Sequence, residues 1–187
     1  PEEVKSLFSH TVDVGIEHGT VLVLHHHDSY EVTTFRTEGT YQDFRHPDSV
    51  TFVRSLEEDL MRRDFTINAL AVNDREEIVD YFNGIEDLEH GIIRCVGNPM
   101  ERFNEDALRM MRAVRFAGQL GFSIESDTFN AVRTLKANLE RVAVERMKVE
   151  FEKMILSPHR TLAFKAFVES ELYQACPDRS EEHTSEL

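Results

Sequence analysis

The feature that most constrains this chain is a change of hydrophobic period part-way along it. Up to about residue 96 the apolar residues come in short runs that alternate or branch at Cβ. Beyond Pro99 they recur at three- and four-residue spacing. A chain patterned in this way is sheet first and helices after, an α+β class, with the change of character near residue 97. Residues 1 to 9 read as the end of a helix, with Val4, Leu7 and Phe8 on one face. Thr20 to Leu24 and Tyr30 to Phe35 flank a polar His27-Asp28-Ser29 turn and predict an antiparallel hairpin. Residues 37 to 55, with Gly39, Pro47 and scattered charge, read as a long loop in which Arg45 or Arg54 could touch a substrate. Glu57 to Arg63 reads as helix, Ile67 to Asn73 and Ile78 to Tyr81 as paired strands that continue the sheet, and Ile92 to Val96 as one more strand. Helices are then expected over Glu105 to Leu120, closed by Gly121; over Asp127 to Lys136, capped by Ser126 or Asp127; over Val144 to Leu156; and over Pro158 to Leu172.

Charge and composition narrow the function. The 187 residues carry 21 Lys and Arg against 35 Asp and Glu, a net charge of −14, so a polyanion must meet a local basic patch rather than the whole surface. No apolar run approaches the ~20 residues of a membrane span and no leader resembles a signal peptide, so no membrane partner and a cytoplasmic location are expected. Cys95 and Cys176 lie far apart and read as reduced thiols. His25-His26-His27 beside Asp28 reads as a polar hairpin end, because successive strand residues alternate faces and cannot converge on one ion. The run 179–187 is polar and patternless, resembles a translated sequencing adapter, and is expected to be non-native. With its one Arg and three Glu removed the charge is still −12.

Two segments can carry chemistry. Asp106, Arg109, Arg112 and Arg115 are spaced by three, so neighbours in this series adjoin on a helix surface, while Leu108, Met111 and Val114 face a core. A fixed carboxylate beside a fixed guanidinium matches the Watson–Crick edge of cytosine or adenine, each of which offers an exocyclic amine next to a ring acceptor. Uracil and guanine present the opposite pattern and would leave buried polar groups unpaired. The remaining arginines suit phosphate, where a planar fork binds two oxygens. An exposed helix laced with i,i+3 salt bridges accounts for the same spacing. In the second segment, Arg62-Arg63-Asp64-Phe65-Thr66-Ile67-Asn68-Ala69, two arginines, a carboxylate and an amide suit a triphosphate and a sugar. A helix C-terminus followed by an Asp64-capped turn fits those residues too.

Taken with Asp80-Tyr81-Phe82-Asn83-Gly84, Asp87-Leu88 and Glu105-Asp106-Ala107-Leu108-Arg109, these segments resemble class II tRNA nucleotidyltransferases, the CCA-adding enzymes, and the related bacterial poly(A) polymerases. Glu145-Arg146 with Glu150 looks like the next motif of that family. The resemblance implies part of a polymerase β-type nucleotidyltransferase head over residues 1–97 and a helical neck over 98–178, binding nucleotide and RNA. It implies template-independent addition of CMP and AMP to the 3′ end of tRNA from CTP and ATP, with pyrophosphate released. A poly(A) polymerase or a CC- or A-adding enzyme shares these motifs, and a non-catalytic nucleotide- or RNA-binding module is the different-class alternative.

Carried over by residue, Asp106 and Arg109 would read the base, and Arg63, Arg112 and Arg115 would contact the nucleotide, mainly its phosphates. Arg62, Asp64 and Asn68 would support triphosphate and ribose, and Glu31 would stand where the superfamily places its third active-site acid. The family's paired carboxylates, which hold Mg²⁺, are absent from this sequence and expected ahead of Pro1. The chain is therefore expected to contain no metal site of its own and, alone, to be inactive.

Overall fold

The computed structural model describes residues 1–16, 19–39 and 50–176. Arg45 and the run 179–187 lie outside the described residues. The chain divides into two compact units, the first ending at Arg62 and the second beginning at Arg63.

In the first unit, α1 (Glu2–Leu7) precedes an antiparallel sheet of order β1-β2-β3, made by Thr11–Asp13, Thr20–His25 and Asp28–Thr33. The expected hairpin is present, but its turn is His26-His27: pairing runs from Thr20↔Thr33 to His25↔Asp28, and His26 takes φ +55° to close it. Val21 and Val23 share a face with their cross-strand partners Val32 and Tyr30 and are buried, whereas Leu22 and its partner Glu31 lie on the opposite face. The expected 37–55 loop begins and ends in strand, since β4 (Arg36–Glu38) pairs with β5 (Val50–Phe52). Helix α2 (Leu56–Met61) starts at Ser55, whose hydroxyl accepts from the Glu58 amide. Its Asp59 accepts from the Arg36 amide at 3.1 Å and from the Arg62 guanidinium at 2.9 and 3.1 Å.

The second unit opens with a 3₁₀ turn (Thr66–Asn68), the antiparallel pair β6 (Leu70–Val72) and β7 (Ile78–Asp80), and α3 (Gly84–His90). The segment expected to be one strand from 92 to 96 is shared between two partners. Strand β8 (Ile92–Ile93) runs parallel to β9 (Ser123–Ile124), and residues 94–96 clasp residues 64–66. In that clasp the Thr66 amide donates to the Arg94 carbonyl at 3.0 Å and the Val96 amide to that of Asp64 at 3.1 Å. Helices α4 (Pro99–Glu105), α5 (Leu108–Leu120), α6 (Ser126–Leu135), α7 (Val144–Ile155) and α8 (Arg160–Glu169) follow, with 3₁₀ turns at Lys136–Arg141 and Leu172–Ala175. Helix α6 is capped by Glu125, whose carboxylate accepts the Thr128 amide at 2.8 Å, rather than by Ser126 or Asp127. None of the described helices is long and apolar enough to cross a membrane.

Phe65, Ile93 and Cys95, ahead of the change of character near residue 97, are buried in one core with Phe103, Met110 and Val114 of the helices. Burial pushes the Cys95 thiol up to about 12. Asp87, which as a first-turn acid of α3 reads as a solvated dipole partner, is instead buried. It accepts from the Thr66 hydroxyl at 2.7 Å and from Arg94 Nε at 3.1 Å. This contact demands glycine at position 84, where a Cβ would stand 2.3 Å from the Thr66 carbonyl oxygen.

Asp80 shapes the turn into α3 by accepting the amides of Phe82, Gly84 and Ile85 at 3.2, 2.9 and 3.0 Å. Burial pushes its carboxyl up, the amides of Ile85, Gly84 and Phe82 more than offset that, and the group is held below the usual carboxylate range. With the folded value depressed, the stabilisation is complete above the ordinary carboxyl range and is lost as pH falls through the folded value. Asp80→Asn is expected to cost about 1 kcal/mol at pH 7 and to flatten the acid limb of the stability profile. Urea unfolding from pH 7 down to pH 3 measures both.

Candidate functional site

The helix expected from Glu105 to Leu120 is α5, which begins three residues later, at Leu108; Glu105 instead ends α4, a helix not expected from the sequence. Asp106 has extended backbone, φ −138° and ψ 103°, and α5 restarts at Leu108. Asp106 is itself the reason. One carboxylate oxygen accepts the Leu108 amide at 3.1 Å while its carbonyl accepts the Arg109 amide at 3.0 Å, the arrangement of a residue that caps a new helix. Its other carboxylate oxygen accepts from the Arg146 guanidinium of α7 at 2.8 Å. Arg109, the second residue of α5, is buried and donates to Glu105 at 2.7 Å and to the Arg102 carbonyl at 3.1 Å. The two candidate base-reading groups are thus held in place by different elements, Asp106 by α7 and Arg109 by α4. The Asp106 carboxylate, with room for about four hydrogen bonds, spends two of them on its anchors among the contacts described.

A second cluster forms around the buried Asp64. It accepts from Arg112 Nε and NH2 at 2.7 and 2.6 Å, from the Phe65 amide at 2.8 Å and from the Asn68 side chain at 3.1 Å. Exposed Arg63 donates to the Asn68 carbonyl at 3.3 Å. The structure therefore brings Arg63, Asp64, Asn68 and Arg112 together across 48 residues of sequence. Arg115 points elsewhere: buried, it pairs with Glu150 of α7 and donates to Gln119. The half-buried ring of Phe116 lies beneath both of these guanidiniums, their central carbons 3.9 Å (Arg115) and 5.3 Å (Arg112) from its centroid. This is not an exposed helix laced with its own salt bridges. Two of the three arginines are buried and their carboxylates come from Asp64, Glu105 and Glu150.

Two other sequence-predicted residues belong to the first unit. Arg62 is engaged by Asp59, and Glu31 is exposed on β3. Among the described residues no three His, Cys, Asp or Glu side chains are grouped to hold a metal ion. Glu105, Arg146 and Glu150 stand in segments that carry the family resemblance, but their roles as anchors of Arg109, Asp106 and Arg115 are not apparent from sequence. The four-residue spacing of Arg146 and Glu150 on α7 was the available signal, since it places both on one helix face, here the face turned to Asp106 and Arg115.

Residues 1–94 match the family model described as the poly A polymerase head domain, and residues 121–180 match that of a probable RNA and SrmB binding site of polymerase A. The chain belongs to the poly A polymerase head-domain family. Similar curated family members are the CCA-adding enzyme of Ligilactobacillus salivarius, 60% identical over 177 residues, and that of Enterococcus faecalis, 61% identical over 182 residues. The alignments cover 95% and 97% of this chain but 44% and 45% of those relatives, so the chain spans less than half of their length. Among solved structures, the Bacillus stearothermophilus CCA-adding enzyme in complex with CTP superposes with a TM-score of 0.87 at 47% identity, over 97% of this chain and 44% of that one. The Thermotoga maritima CCA-adding enzyme complexed with tRNA gives 0.72 at 25% identity, over 93% of this chain and 40% of that one.

The pairing of Arg115 with Glu150 is the most buried ionic contact of α5. Truncating one partner strands a charge in the interior. Glu150→Ala is expected to cost about 3 kcal/mol in urea unfolding, whereas removing the exposed pair Lys148–Glu152 by Lys148→Ala should change stability by under ~0.5 kcal/mol.

Proposed function

We propose that this chain is the nucleotide-selecting portion of a CCA-adding enzyme. Such a protein transfers CMP and AMP from CTP and ATP to the 3′ end of tRNA, acting in the cytoplasm. Residues 1–97 would belong to the head and 98–178 to the neck. The observation that carries this reading is the break at Asp106, which sets a carboxylate anchored by Arg146 beside a guanidinium anchored by Glu105. The close similarity to CCA-adding enzymes, one of them solved with CTP, supports it.

In the proposed reaction the terminal hydroxyl of tRNA attacks the α-phosphate in line and pyrophosphate leaves. Asp106 accepts the exocyclic amine of cytosine or adenine, and Arg109 donates to the adjoining ring acceptor. A base with the opposite pattern meets two unsatisfied groups. Arg63 and Arg112 face the phosphates, with Asp64 and Asn68 fixing the Arg112 fork and offering partners to the ribose. Arg115, committed to Glu150, holds α5 against α7 and acts on the nucleotide through its neighbours. Mg²⁺ is the metal of this reaction class, but the described residues do not make its site: no three suitable ligands are grouped, and Glu31 is a single exposed carboxylate. What these residues supply is binding, orientation and choice of base.

Calorimetric titration of this chain with CTP, ATP, UTP and GTP tests the reading. CTP and ATP are expected to bind at least about tenfold tighter than UTP and GTP. Asp106→Ala and Arg109→Ala should each bring the four affinities together. Equal binding of all four nucleotides by the folded, unsubstituted chain would overturn base selection at this site.

A further inference from the structure

We infer that Phe116 is a positioning residue for the phosphate-facing arginine Arg112, an inference that rests on the nucleotide-binding reading above. Phe116 would otherwise pass as an ordinary core side chain at the end of an apolar helix face. Its ring is only half-buried, and three separate contacts converge on it. The Arg115 guanidinium carbon lies 3.9 Å from the ring centroid and that of Arg112 lies 5.3 Å away. The ring of Phe65, fully buried, meets Phe116 edge-to-face at 5.8 Å with an interplanar angle of 82°.

These contacts tie two things the site needs. Phe65 adjoins Asp64, whose carboxylate grips Arg112 at 2.6 and 2.7 Å, so the ring packs against the residue next to the anchor as well as against the arginine being anchored. Asp64 fixes one edge of the Arg112 fork, and an edge contact alone leaves the guanidinium plane able to swing about it. An aromatic face beneath the guanidinium restrains that swing, because the ring quadrupole attracts the cation and a flat surface favours a flat partner. Arg115 supplies the rigidity of the ring itself: it is buried, locked by Glu150, and closer to the ring than Arg112. The order of dependence is therefore Glu150 to Arg115 to Phe116 to Arg112. Phe116 touches no nucleotide in this scheme and acts on the phosphates only through Arg112.

The test uses the whole chain, with CTP and inorganic tripolyphosphate as probes, well below the unfolding temperature of every variant. Phe116→Leu, which keeps an apolar side chain and removes the aromatic face, is expected to weaken both probes by the same factor, about fivefold, and to leave the preference for CTP over UTP unchanged. Phe116→Tyr should restore wild-type affinity. Phe116→Met, unbranched and of similar length, is the second variant should the leucine protein not fold, and the same loss is expected of it. On an Arg112→Gln background the effect of Phe116→Leu should vanish, since neither a cation nor a guanidinium plane is left for the ring to hold.

A purely structural role for Phe116 would lower the unfolding temperature and leave the affinities of the folded protein intact, and that result overturns the inference. Full additivity with Arg112→Gln overturns it as well. Absence of any CTP binding by the folded wild-type chain would instead overturn the nucleotide-binding reading and, with it, the inference.

Discussion

A guanidinium taken out of water costs several kcal/mol unless a carboxylate meets it, and α5 buries Arg109 and Arg115 within a helix that is otherwise core. That cost dictates much of the second unit. Glu150 has to stand opposite Arg115, which sets α7 alongside α5. Glu105 has to stay within reach of Arg109, which limits how far α4 can turn away after the break. The same cost falls on the buried carboxylate of Asp64, which is met by Arg112, 48 residues later, while residues 64–66 sit in the clasp with residues 94–96. On another side of α5, Gly118 admits Ser157 and Ala163 so closely that a Cβ would stand 2.6 Å from each. Helix α8 therefore packs without a charge, through shape alone.

The break at Asp106 is the second constraint, and it follows from hydrogen-bond accounting. A helix beginning at Leu108 leaves its first amides without intrahelical partners, and an aspartate with extended backbone supplies an acceptor from its side chain and another from its carbonyl. A continuous helix would have pointed Asp106 along the same winding stripe as the arginines. The break turns it toward α7, where Arg146 completes its surroundings. The carboxylate is thereby both a helix cap and a partner in an ion pair, and neither task exhausts its acceptor capacity.

The class of fold was legible because a change of hydrophobic period is a property of neighbouring residues, and helices α5 to α8 were legible for the same reason. Gly121 marks the end of α5 by a local signal, with φ +72°. What escaped the sequence depends on partners far along the chain or on an unusual choice of residue. No Gly or Pro announces the break at 106. Strand β9 is two residues long and exists only because β8 lies beside it. Glu125 caps α6, although glutamate is outside the residues usually favoured there. The adjacent arginines 62 and 63 read alike as a phosphate-binding pair. The backbone sends one to Asp59, three residues back on α2, and sets the other beside Asn68. At the site itself, residue types and spacing pointed to Asp64, Asp106, Arg109 and Arg112, but which of the neighbouring charged residues pairs with which depends on how α4 and α7 lie against α5 and is not written in the spacing.

Placing the candidate base-reading and phosphate-facing groups on one helix has a physical consequence. Arg109 and Arg112 are three residues apart, so the rise of an α-helix sets their axial separation at about 4.5 Å. A helix clamped by Glu150 on one side and by Asp64 on another cannot stretch to suit a different ligand. A loop carrying the same side chains would adjust to whatever base arrived and would discriminate poorly. On the proposed function this rigidity takes the place of a nucleic-acid template: the phosphates are held at one point of a fixed ruler and the base is offered to another. A purine and a pyrimidine can both be accepted only if each brings an amine and a ring acceptor to the same place. That requirement falls on the edge the two bases share rather than on their size. Selection of cytosine and adenine by one site then depends on the fixed directions of hydrogen bonds from Asp106 and Arg109, and those directions are set by Arg146 and Glu105.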